Sequence, residues 1–166
     1  MSFEEHRATA PSRLKVAVVT ISDKRAKGGE EDISGKLLEE GLREKGHTVV
    51  RYLLPNDSQG IVNLIKDLIK SDVDAIITTG GTGISSRDVT IESIKPLLEK
   101  ELPGFGEMLR YLGYQKVGTP ALLSRAMAGL AGGKIIFCLP GAPSAVAVGL
   151  ELILPDLSHL VKHARE

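Results

Sequence analysis

Apolar segments of two kinds alternate along this chain of 166 residues. In the first kind nearly every residue is apolar and many are β-branched, which is typical of strands buried on both faces of a sheet. In the second kind apolar residues recur every three or four positions, which predicts amphipathic helices. The predicted strands are 14–22, 48–54, 73–79 and 134–139. The predicted helices cover 34–45, 61–69, 90–99, 103–112 and 143–154.

The order of these elements predicts an α/β fold. Three strand–loop–helix units follow one another, which argues for a parallel sheet with helices on its faces. The segment 122–130 fits either a helix or one arm of a hairpin that turns at 131–133. The polar residues 1–13 are predicted to form a flexible tail, which leaves 14–166 as a single domain of ordinary size.

Charge and composition narrow the classes of function. Lys plus Arg and Asp plus Glu number 21 each, so the net charge is zero and the chain lacks the basic excess of a nucleic-acid-binding protein. Neither a membrane-spanning apolar run nor an apolar signal segment near the start is evident. Cys138, the only cysteine, lies in a predicted strand, so we expect a buried, inert thiol in a reducing compartment. We therefore expect a cytoplasmic protein that binds neither nucleic acid nor membranes.

The strongest chemical signal is the segment 78–83 (TTGGTG), at the end of the third predicted strand. Ligands of open α/β sheets bind beyond the carboxyl ends of the strands. Glycines there let backbone N–H groups approach an anion, and Thr79 and Thr82 offer hydroxyl groups. A tight turn also needs glycine, but three glycines among four residues at a strand end favour an anion site. The segment is neither a Walker A loop nor a GxGxxG motif.

Two more strands end in loops at the same predicted edge, and the second of these loops, taken alone, fits a plain connection to the next helix. Asp23 comes after the first strand, and 140–143 (PGAP) comes after the fourth. Asp88 precedes a predicted helix, so its carboxylate fits either a helix N-cap or a magnesium ligand beside phosphates. Because three strand ends converge on one rim, the sequence predicts a binding site there.

Taken together, these motifs resemble the MoaB/Mog family of molybdenum cofactor biosynthesis, which includes the gephyrin G domain. The resemblance runs from about 14 to 154 and depends on the order and spacing of several short motifs. They are TISD at 20–23, DxSG at 32–35, TTGGTG at 78–83, RDVT at 87–90, PGFGE at 103–107, LSRA at 123–126 and LPG at 139–141. The residues at 124–125 (SR) and 140–144 (PGAPS) are more similar to the MoaB branch than to Mog.

The resemblance implies a doubly wound, mostly parallel sheet flanked by helices, with one antiparallel edge hairpin, and so favours a strand within 122–130. It implies a molybdopterin adenylyltransferase, which transfers AMP from Mg-ATP to the molybdopterin phosphate and releases pyrophosphate. ATP and molybdopterin would be the substrates, and Mg²⁺ the metal. It also implies a trimer or a hexamer, and makes the later metal-insertion enzyme a candidate partner.

The resemblance also implies the residues of the site. Catalytic roles fall to Asp88, Asp57 and Asn56, with Asp88 and Asp57 as metal ligands. Substrate contacts fall to Ser22, Asp23, Thr79, Gly80, Gly81, Thr82, Gly83, Ser124, Arg125, Pro140 and Gly141. Arg125 and Arg87 would add positive charge near the phosphates. The chain departs from the family at one position: many relatives carry Asp after the Pro that ends the second strand, whereas here Asn56 precedes Asp57.

Two other functions compete with this one. The first is a non-catalytic member of the same family that binds molybdopterin or serves as a scaffold, since a fold does not determine a function. The Asn56 departure keeps this alternative open. The second is an unrelated domain of similar topology that binds nucleotide phosphates. Magnesium-dependent release of pyrophosphate that requires molybdopterin would separate the enzyme from both.

Overall fold

The structure, a computed structural model, describes residues 2–166. Six strands in these residues form one mixed sheet in the order β2-β1-β3-β6-β5-β4. The strands are β1 Lys15–Ile21, β2 Thr48–Leu54, β3 Ala75–Thr79, β4 Lys100–Glu101, β5 Met127–Ala131 and β6 Lys134–Leu139. Strands β2, β1, β3 and β6 run parallel, and β5 and β4 are added antiparallel at one edge. This arrangement confirms the predicted doubly wound sheet with an antiparallel edge hairpin.

The hairpin settles the ambiguous segment 122–130. Its arm is the strand β5, which turns into β6 through Gly132 and Gly133, both at positive φ. The strand begins only at Met127, because a 3₁₀ turn, Thr119–Leu123, precedes it. The two-residue strand β4 was not predicted, since its residues are both charged and too few to show alternation.

The helices cover both faces of the sheet. They are α1 Phe3–Ala8, α2 Asp23–Ala26, α3 Ile33–Glu44, α4 Ser58–Lys70, α5 Thr90–Ile94, α6 Pro103–Val117, α7 Pro143–Ile153 and α8 Leu157–Arg165. The predicted helix at 90–99 is shorter than expected: after α5 the chain tightens into a 3₁₀ turn that contains Pro96, which has no N–H to continue the helical pattern.

Two short helices occupy segments that were predicted to lack them. The tail at 1–13 contains α1, whose first turn is closed by a capping box between Ser2 and Glu5. Arg7 ties this helix to Asp156 through an ion pair of 2.7 Å. The loop after β1 begins with the single turn α2, because the Ser22 side chain accepts a hydrogen bond from the N–H of Arg25.

Strand β1 shows why the apolar runs are continuous. Val16 and Val18 belong to the apolar core beneath α3, α6, α7 and α8, whereas Ala17 and Val19 belong to the core beneath α4 and α5. Neighbouring residues of a strand point to opposite faces, so a strand covered on both sides must be apolar at every position. The sheet therefore separates two cores, and its polar groups concentrate at its ends.

Among the described residues, no single helix is both long and apolar enough to cross a membrane. Helices α7 and α8 pass that test only as a pair, with a bend of 66° between them.

His47 lies just before β2 and is 7% exposed. Its Nδ1 accepts a hydrogen bond of 3.1 Å from the backbone N–H of Leu14, so this nitrogen carries no proton. Burial lowers the pKa of His47 from its ordinary value of 6.5, and the smaller effect of the Asp74 carboxylate opposes that shift without reversing it. The folded protein therefore keeps the imidazole neutral at pH values where the unfolded chain would protonate it.

We expect acid to destabilise the protein through His47. As pH falls below 6.5 the unfolded chain binds a proton at this residue, but the folded protein does so only at lower pH. The stability contributed by the neutral imidazole is thus complete above that pH and is lost below it. His47→Asn keeps an acceptor for the Leu14 N–H but cannot titrate. Between about pH 8 and about pH 5.5, the free energy of unfolding in urea should fall less in this variant than in the wild type. Equal decreases would assign the pH dependence to other groups.

Candidate functional site

A cavity of about 620 Å³ opens beyond the carboxyl ends of β1, β3 and β6. It lies where the sequence predicted a site, at the rim shared by the loops that follow these strands. Most of the predicted site residues line it. They are Ser22, Asn56, Gly80, Gly81, Thr82, Gly83, Asp88, Ser124, Pro140 and Gly141. Asp23, Asp57, Thr79 and Arg125 are not part of this lining.

The glycine loop fits its place only because it lacks side chains. Gly80 and Gly81 have φ of +99° and +69°, a region that L residues with side chains rarely adopt. A Cβ on Gly80 would collide with the carbonyl oxygen of Ile21, and a Cβ on Gly81 with Oγ1 of Thr90. The N–H of Gly80 donates to the carbonyl of Leu139 at 3.0 Å, which extends the pairing of β3 with β6. The amides available to a ligand therefore begin at Gly81.

Thr79 and Ser34 hold the neighbouring loop in place. The Thr79 hydroxyl donates to the carbonyl of Pro140 at 2.8 Å, and the Ser34 hydroxyl donates to the carbonyl of Gly141 at 2.7 Å. Thr79 is 1% exposed, so the structure gives its hydroxyl a structural partner instead of the predicted ligand. Together these bonds fix the backbone that leads into α7.

The amino end of α7 is open towards the cavity. Ser144, in its first turn, lines the cavity, and within residues 2–166 no side chain caps the helix at Ala142. The helix begins at Pro143, which has no N–H, and the N–H of Ala145 donates to the carbonyl of Ala142 at 3.0 Å. The N–H of Ser144 has no backbone partner within residues 2–166, and the helix dipole adds a partial positive charge there. This helix end can therefore bind an anion beside the glycine loop.

Asp23 connects three loops beside the cavity. Its Oδ1 accepts the backbone N–H of Asn56 at 2.9 Å, and its Oδ2 accepts Arg87 Nη2 at 2.7 Å. The hydrogen bond from Arg87, followed by that from Asn56, lowers the pKa of the Asp23 carboxyl. The structure thus uses Asp23 and Arg87 to join the loops after β1, β2 and β3, although both were predicted to serve the substrate.

The two neighbouring residues Asn56 and Asp57 take separate positions. Asn56 lines the cavity, and its buried Oδ1 has no hydrogen-bond partner within residues 2–166. Asp57 is exposed and is the N-cap of α4, where its Oδ2 accepts the N–H of Gly60 at 2.8 Å. A buried oxygen without a partner is costly unless a ligand satisfies it. Of the two, Asn56 has the oxygen that a metal or substrate can use.

Asp88 lines the cavity and does not cap α5. The N-cap of that helix is Val89, which makes no side-chain cap hydrogen bond. Oδ2 of Asp88 instead accepts the N–H of Ser85 at 3.0 Å, and a Cβ built on Gly83 would lie 2.7 Å from it. The sequence left open whether Asp88 is a helix N-cap or a magnesium ligand. The structure excludes the N-cap and places the carboxylate against the glycine loop.

Arg125 faces the glycine loop from outside the cavity. Its guanidinium pairs with Glu92 of α5, and its Nε donates to the carbonyl of Gly83 at 2.9 Å. The hydrogen bond from Arg125 lowers the pKa of Glu92. Ser124, its neighbour, does line the cavity. The positive charge expected at Arg125 is therefore already paired with a carboxylate of the protein.

Three cations that the sequence analysis missed line the cavity: Arg25, Arg110 and Lys116. Arg25 lies in a charged stretch without periodicity, so nothing in the sequence distinguished it. Arg110 and Lys116 lie on α6 with Gly113 between them, and residues spaced by three share one face of a helix. That spacing was the signal available in the sequence, and it would have placed α6 on the wall of the site.

A family model described as a probable molybdopterin-binding domain matches residues 17–159. This chain belongs to that family. It is 46% identical to the molybdopterin adenylyltransferase of Pyrococcus furiosus, and the match covers 100% of both chains. It is 44% identical to the molybdenum cofactor biosynthesis protein B of Bacillus anthracis, over 96% of each chain.

Similarity of structure agrees with similarity of sequence. The crystal structure of the tungsten cofactor synthesizing protein MoaB from Pyrococcus furiosus superposes with a TM-score of 0.88 at 46% identity. The match covers 95% of this chain and 100% of that one. The resemblance to the MoaB/Mog family predicted from the motifs is confirmed.

We expect Gly81→Ala to destabilise the protein far more than Gly28→Ala. Both glycines have positive φ, +69° and +77°, so alanine at either position carries about 1 kcal/mol of backbone strain. Only at Gly81 does the new Cβ collide with another side chain, since nothing lies within 4 Å of a Cβ on Gly28. Urea unfolding should show a loss of about 1 kcal/mol for Gly28→Ala and about 3 kcal/mol for Gly81→Ala. Similar losses in both variants would contradict the tight packing of the glycine loop.

Proposed function

We propose that this chain is a molybdopterin adenylyltransferase of molybdenum or tungsten cofactor biosynthesis. One observation carries the proposal: a single cavity brings together the glycine loop, the open end of α7, and the oxygens of Asp88 and Asn56. Amide donors beside metal-ligating oxygens are what a nucleotide's phosphates require. The names of the similar proteins supply the identity of the second substrate.

In the proposed reaction an oxygen of the molybdopterin phosphate attacks the α-phosphorus of ATP. A new P–O bond forms, the bond from that phosphorus to the oxygen bridging to the β-phosphate breaks, and pyrophosphate leaves with that electron pair. Such transfers require alignment of the two phosphates and stabilisation of their charge more than covalent catalysis. The amides that follow Gly80 and the end of α7 would bind phosphate oxygens, and the walls of the cavity would hold the two substrates in line.

The residues present fit a magnesium ion. Mg²⁺ takes one or two protein oxygens together with phosphate oxygens and water, and it accepts amide as well as carboxylate oxygens. Asn56 has a buried oxygen without a partner within residues 2–166, and Asp88 supplies a carboxylate on the same cavity. Within the described residues there is no cluster of three metal-ligating side chains, so substrate oxygens would complete the coordination. The metal would neutralise phosphate charge as it develops.

The resemblance implied catalytic roles for both Asn56 and Asp57, and the proposed function uses only Asn56. Asp57 already caps α4 and is not part of the cavity lining. The non-catalytic alternative would use the same cavity to bind molybdopterin without turning over ATP. The adenylyltransferase names of full-length relatives favour the enzyme.

Self-association as a trimer or hexamer is part of the same proposal, and one surface supports it. Large apolar side chains are exposed along α6 and the turn that follows. They are Met108, Tyr111, Tyr114, Val117, Leu122 and Leu123. Val117 and Leu123 also line the cavity, whereas the other four do not, and large exposed apolar side chains often mark a contact with another protein. We propose a cytoplasmic location as well, supported by the single cysteine, Cys138, a buried free thiol that can form no disulfide within the chain.

The test of the proposed function is an assay of the purified protein with ATP and molybdopterin, with and without Mg²⁺. The expected products are adenylylated molybdopterin and pyrophosphate, formed only when all three are present. If folded protein binds intact molybdopterin but forms no product above the rate without enzyme, the chain is a binding module and the proposal is wrong.

Asp88→Asn should reduce kcat about a hundredfold or more. The asparagine can still accept the Ser85 N–H, so the loop keeps its hydrogen bond and loses only the negative charge. The free energy of unfolding should therefore stay close to that of the wild type. Steady-state kinetics and urea unfolding of the same preparation measure both quantities. Near-normal kcat would mean that the carboxylate only shapes the loop.

Substitutions at 56 and 57 should have different effects. Asn56→Ala should raise the Mg²⁺ concentration for half-maximal turnover about tenfold, and Asn56→Asp should lower it, because the oxygen is removed in one and charged in the other. Asp57→Ala should leave that concentration unchanged but reduce the free energy of unfolding by about 1 kcal/mol, since it removes a helix cap. Turnover measured against Mg²⁺ concentration separates the cases. If only Asp57→Ala changed the Mg²⁺ concentration for half-maximal turnover, the metal ligand would be Asp57 and not Asn56.

A further inference from the structure

The carbonyl groups of four consecutive residues in the glycine loop are all bound by two residues. Thr90 donates its hydroxyl to the carbonyl of Gly80 at 2.9 Å and its N–H to that of Gly81 at 3.1 Å. Arg125 donates its N–H to the carbonyl of Thr82 at 3.2 Å and its Nε to that of Gly83 at 2.9 Å. Every carbonyl from 80 to 83 thus has a fixed partner.

Because the peptide unit is planar, fixing these carbonyls also fixes the directions of the neighbouring N–H groups. In a trans peptide unit the C=O and the following N–H lie in one plane and point in opposite directions. The peptide units that begin at Gly80, Gly81, Thr82 and Gly83 therefore point the N–H groups of residues 81 to 84 away from Thr90 and Arg125. Thr90 fixes the amides of Gly81 and Thr82, the N–H of Arg125 fixes the amide of Gly83, and the Nε of Arg125 holds the next peptide unit, where the loop ends. The amides of Gly81, Thr82 and Gly83 belong to residues that line the cavity. The loop lines the cavity, whereas Thr90 and Arg125 do not. These three N–H groups donate to no acceptor within residues 2–166, so they are available on the cavity side.

We infer that Thr90 and Arg125 are positioning residues that aim three successive backbone amides of the glycine loop at the phosphates of the substrate. The inference rests on the proposed function, because it assigns a part of the site that would bind ATP. It also gives Arg125 a role different from direct contact with substrate. Amides that are already oriented stabilise developing charge without a cost of reorganisation during the reaction.

Helix α5 joins the two positioning residues. Thr90 is its first residue and is fully buried. Glu92, two residues further along the same helix, pairs with the guanidinium of Arg125. Arg125 also reaches the loop with both its backbone and its side chain, whose planar fork can bind Glu92 and a carbonyl together. The orientation of the amides therefore depends on one short helix and one arginine.

Conservative pairs of variants test the inference. Thr90→Val removes the hydroxyl at almost constant volume, and Thr90→Ser restores it. Arg125→Gln removes the guanidinium, and Arg125→Lys keeps the charge without the fork. Thr48→Val is the matched control, because the Thr48 hydroxyl also donates to a carbonyl, that of Leu14, at the opposite end of the sheet.

Two measurements are made on each variant. The first is the steady-state kcat and KM for ATP and for molybdopterin. The second is titration with inorganic pyrophosphate, followed by the amide chemical shifts of Gly81, Thr82 and Gly83 in the ¹⁵N-labelled protein. The titration needs no turnover, so it tests the orientation of the amides even if the proposed reaction is wrong.

We expect Thr90→Val, Arg125→Gln and Arg125→Lys each to lower kcat/KM for ATP by about 10- to 100-fold. KM for molybdopterin should change much less, Thr90→Ser should recover most of the activity, and Thr48→Val should match the wild type. Pyrophosphate should shift the three amides in the wild type, in Thr90→Ser and in Thr48→Val, and should shift them weakly in Thr90→Val.

Three outcomes would overturn the inference. Near-normal kinetics in Thr90→Val would show that its hydroxyl does not orient the loop. Normal activity in Arg125→Lys together with loss in Arg125→Gln would show that Arg125 acts through its charge. The absence of amide shifts in a wild type that turns over ATP would show that the loop does not contact phosphate. A wild type that shows the shifts but forms no adenylylated product would instead refute the proposed function and leave the orientation of the amides supported.

Discussion

The close approach of three backbone segments at the ends of β1, β3 and β6 is the constraint on which the site depends. The pairing of β3 with β1 and with β6 continues to Thr79, the last residue of β3, so neighbouring strands flank the chain where it leaves β3. Gly80 lies against the carbonyl of Ile21, and a Cβ on Gly141 would lie 3.3 Å from the Cα of Gly80. Only glycine can make this turn, and the turn places the following amides on the rim. The cavity is thus a consequence of how the central strands end.

The proposed function requires the site to bind anions in a chain without excess positive charge, and most cations in and beside the cavity are paired within the protein. Of the three cations that line the cavity, Lys116 pairs with Glu151 and Arg25 with Glu30, whereas Arg110 donates to the backbone carbonyls of Ser124 and Ala126. Beside the cavity, Arg87 pairs with Asp23 and Arg125 with Glu92. A partly exposed, paired cation offers little extra attraction to a phosphate, because its partner and the solvent offset its charge. Backbone amides and the end of α7 have no such partners. Under the proposed function, attraction for phosphate in this cavity would therefore come from Arg110, from dipoles oriented by the fold, and from a metal held by Asp88 and Asn56.

Periodicity was enough to predict the four parallel strands and most helices, because burial on both faces of a strand leaves a continuous apolar run. The antiparallel edge hairpin came from the family resemblance, and the rim that carries the site came from the motifs that follow the strands. The roles of individual residues were harder to predict. Thr79, Asp23 and Arg125 lie in the expected motifs, yet each bonds to another part of the protein beside the cavity. A sequence motif predicts that a residue lies near the site, but it does not predict the direction in which the side chain points. Direction depends on contacts between residues far apart in sequence, which no local pattern contains.

The departure at Asn56 also follows from how the fold holds its backbone. The turn after β2 is anchored by the backbone N–H of Asn56, which donates to Asp23 at 2.9 Å, and by Asp57, which caps α4. Neither contact uses the side chain of Asn56. An exchange between aspartate and asparagine at this position therefore leaves both anchoring contacts in place, although an aspartate would lose the further hydrogen bond between the Asn56 side chain and Asp23. An amide oxygen binds Mg²⁺ with one charge less than a carboxylate, but it also repels the incoming phosphates less. An asparagine at 56 is thus compatible with the proposed metal site, whose affinity for Mg²⁺ would depend more strongly on the bound nucleotide.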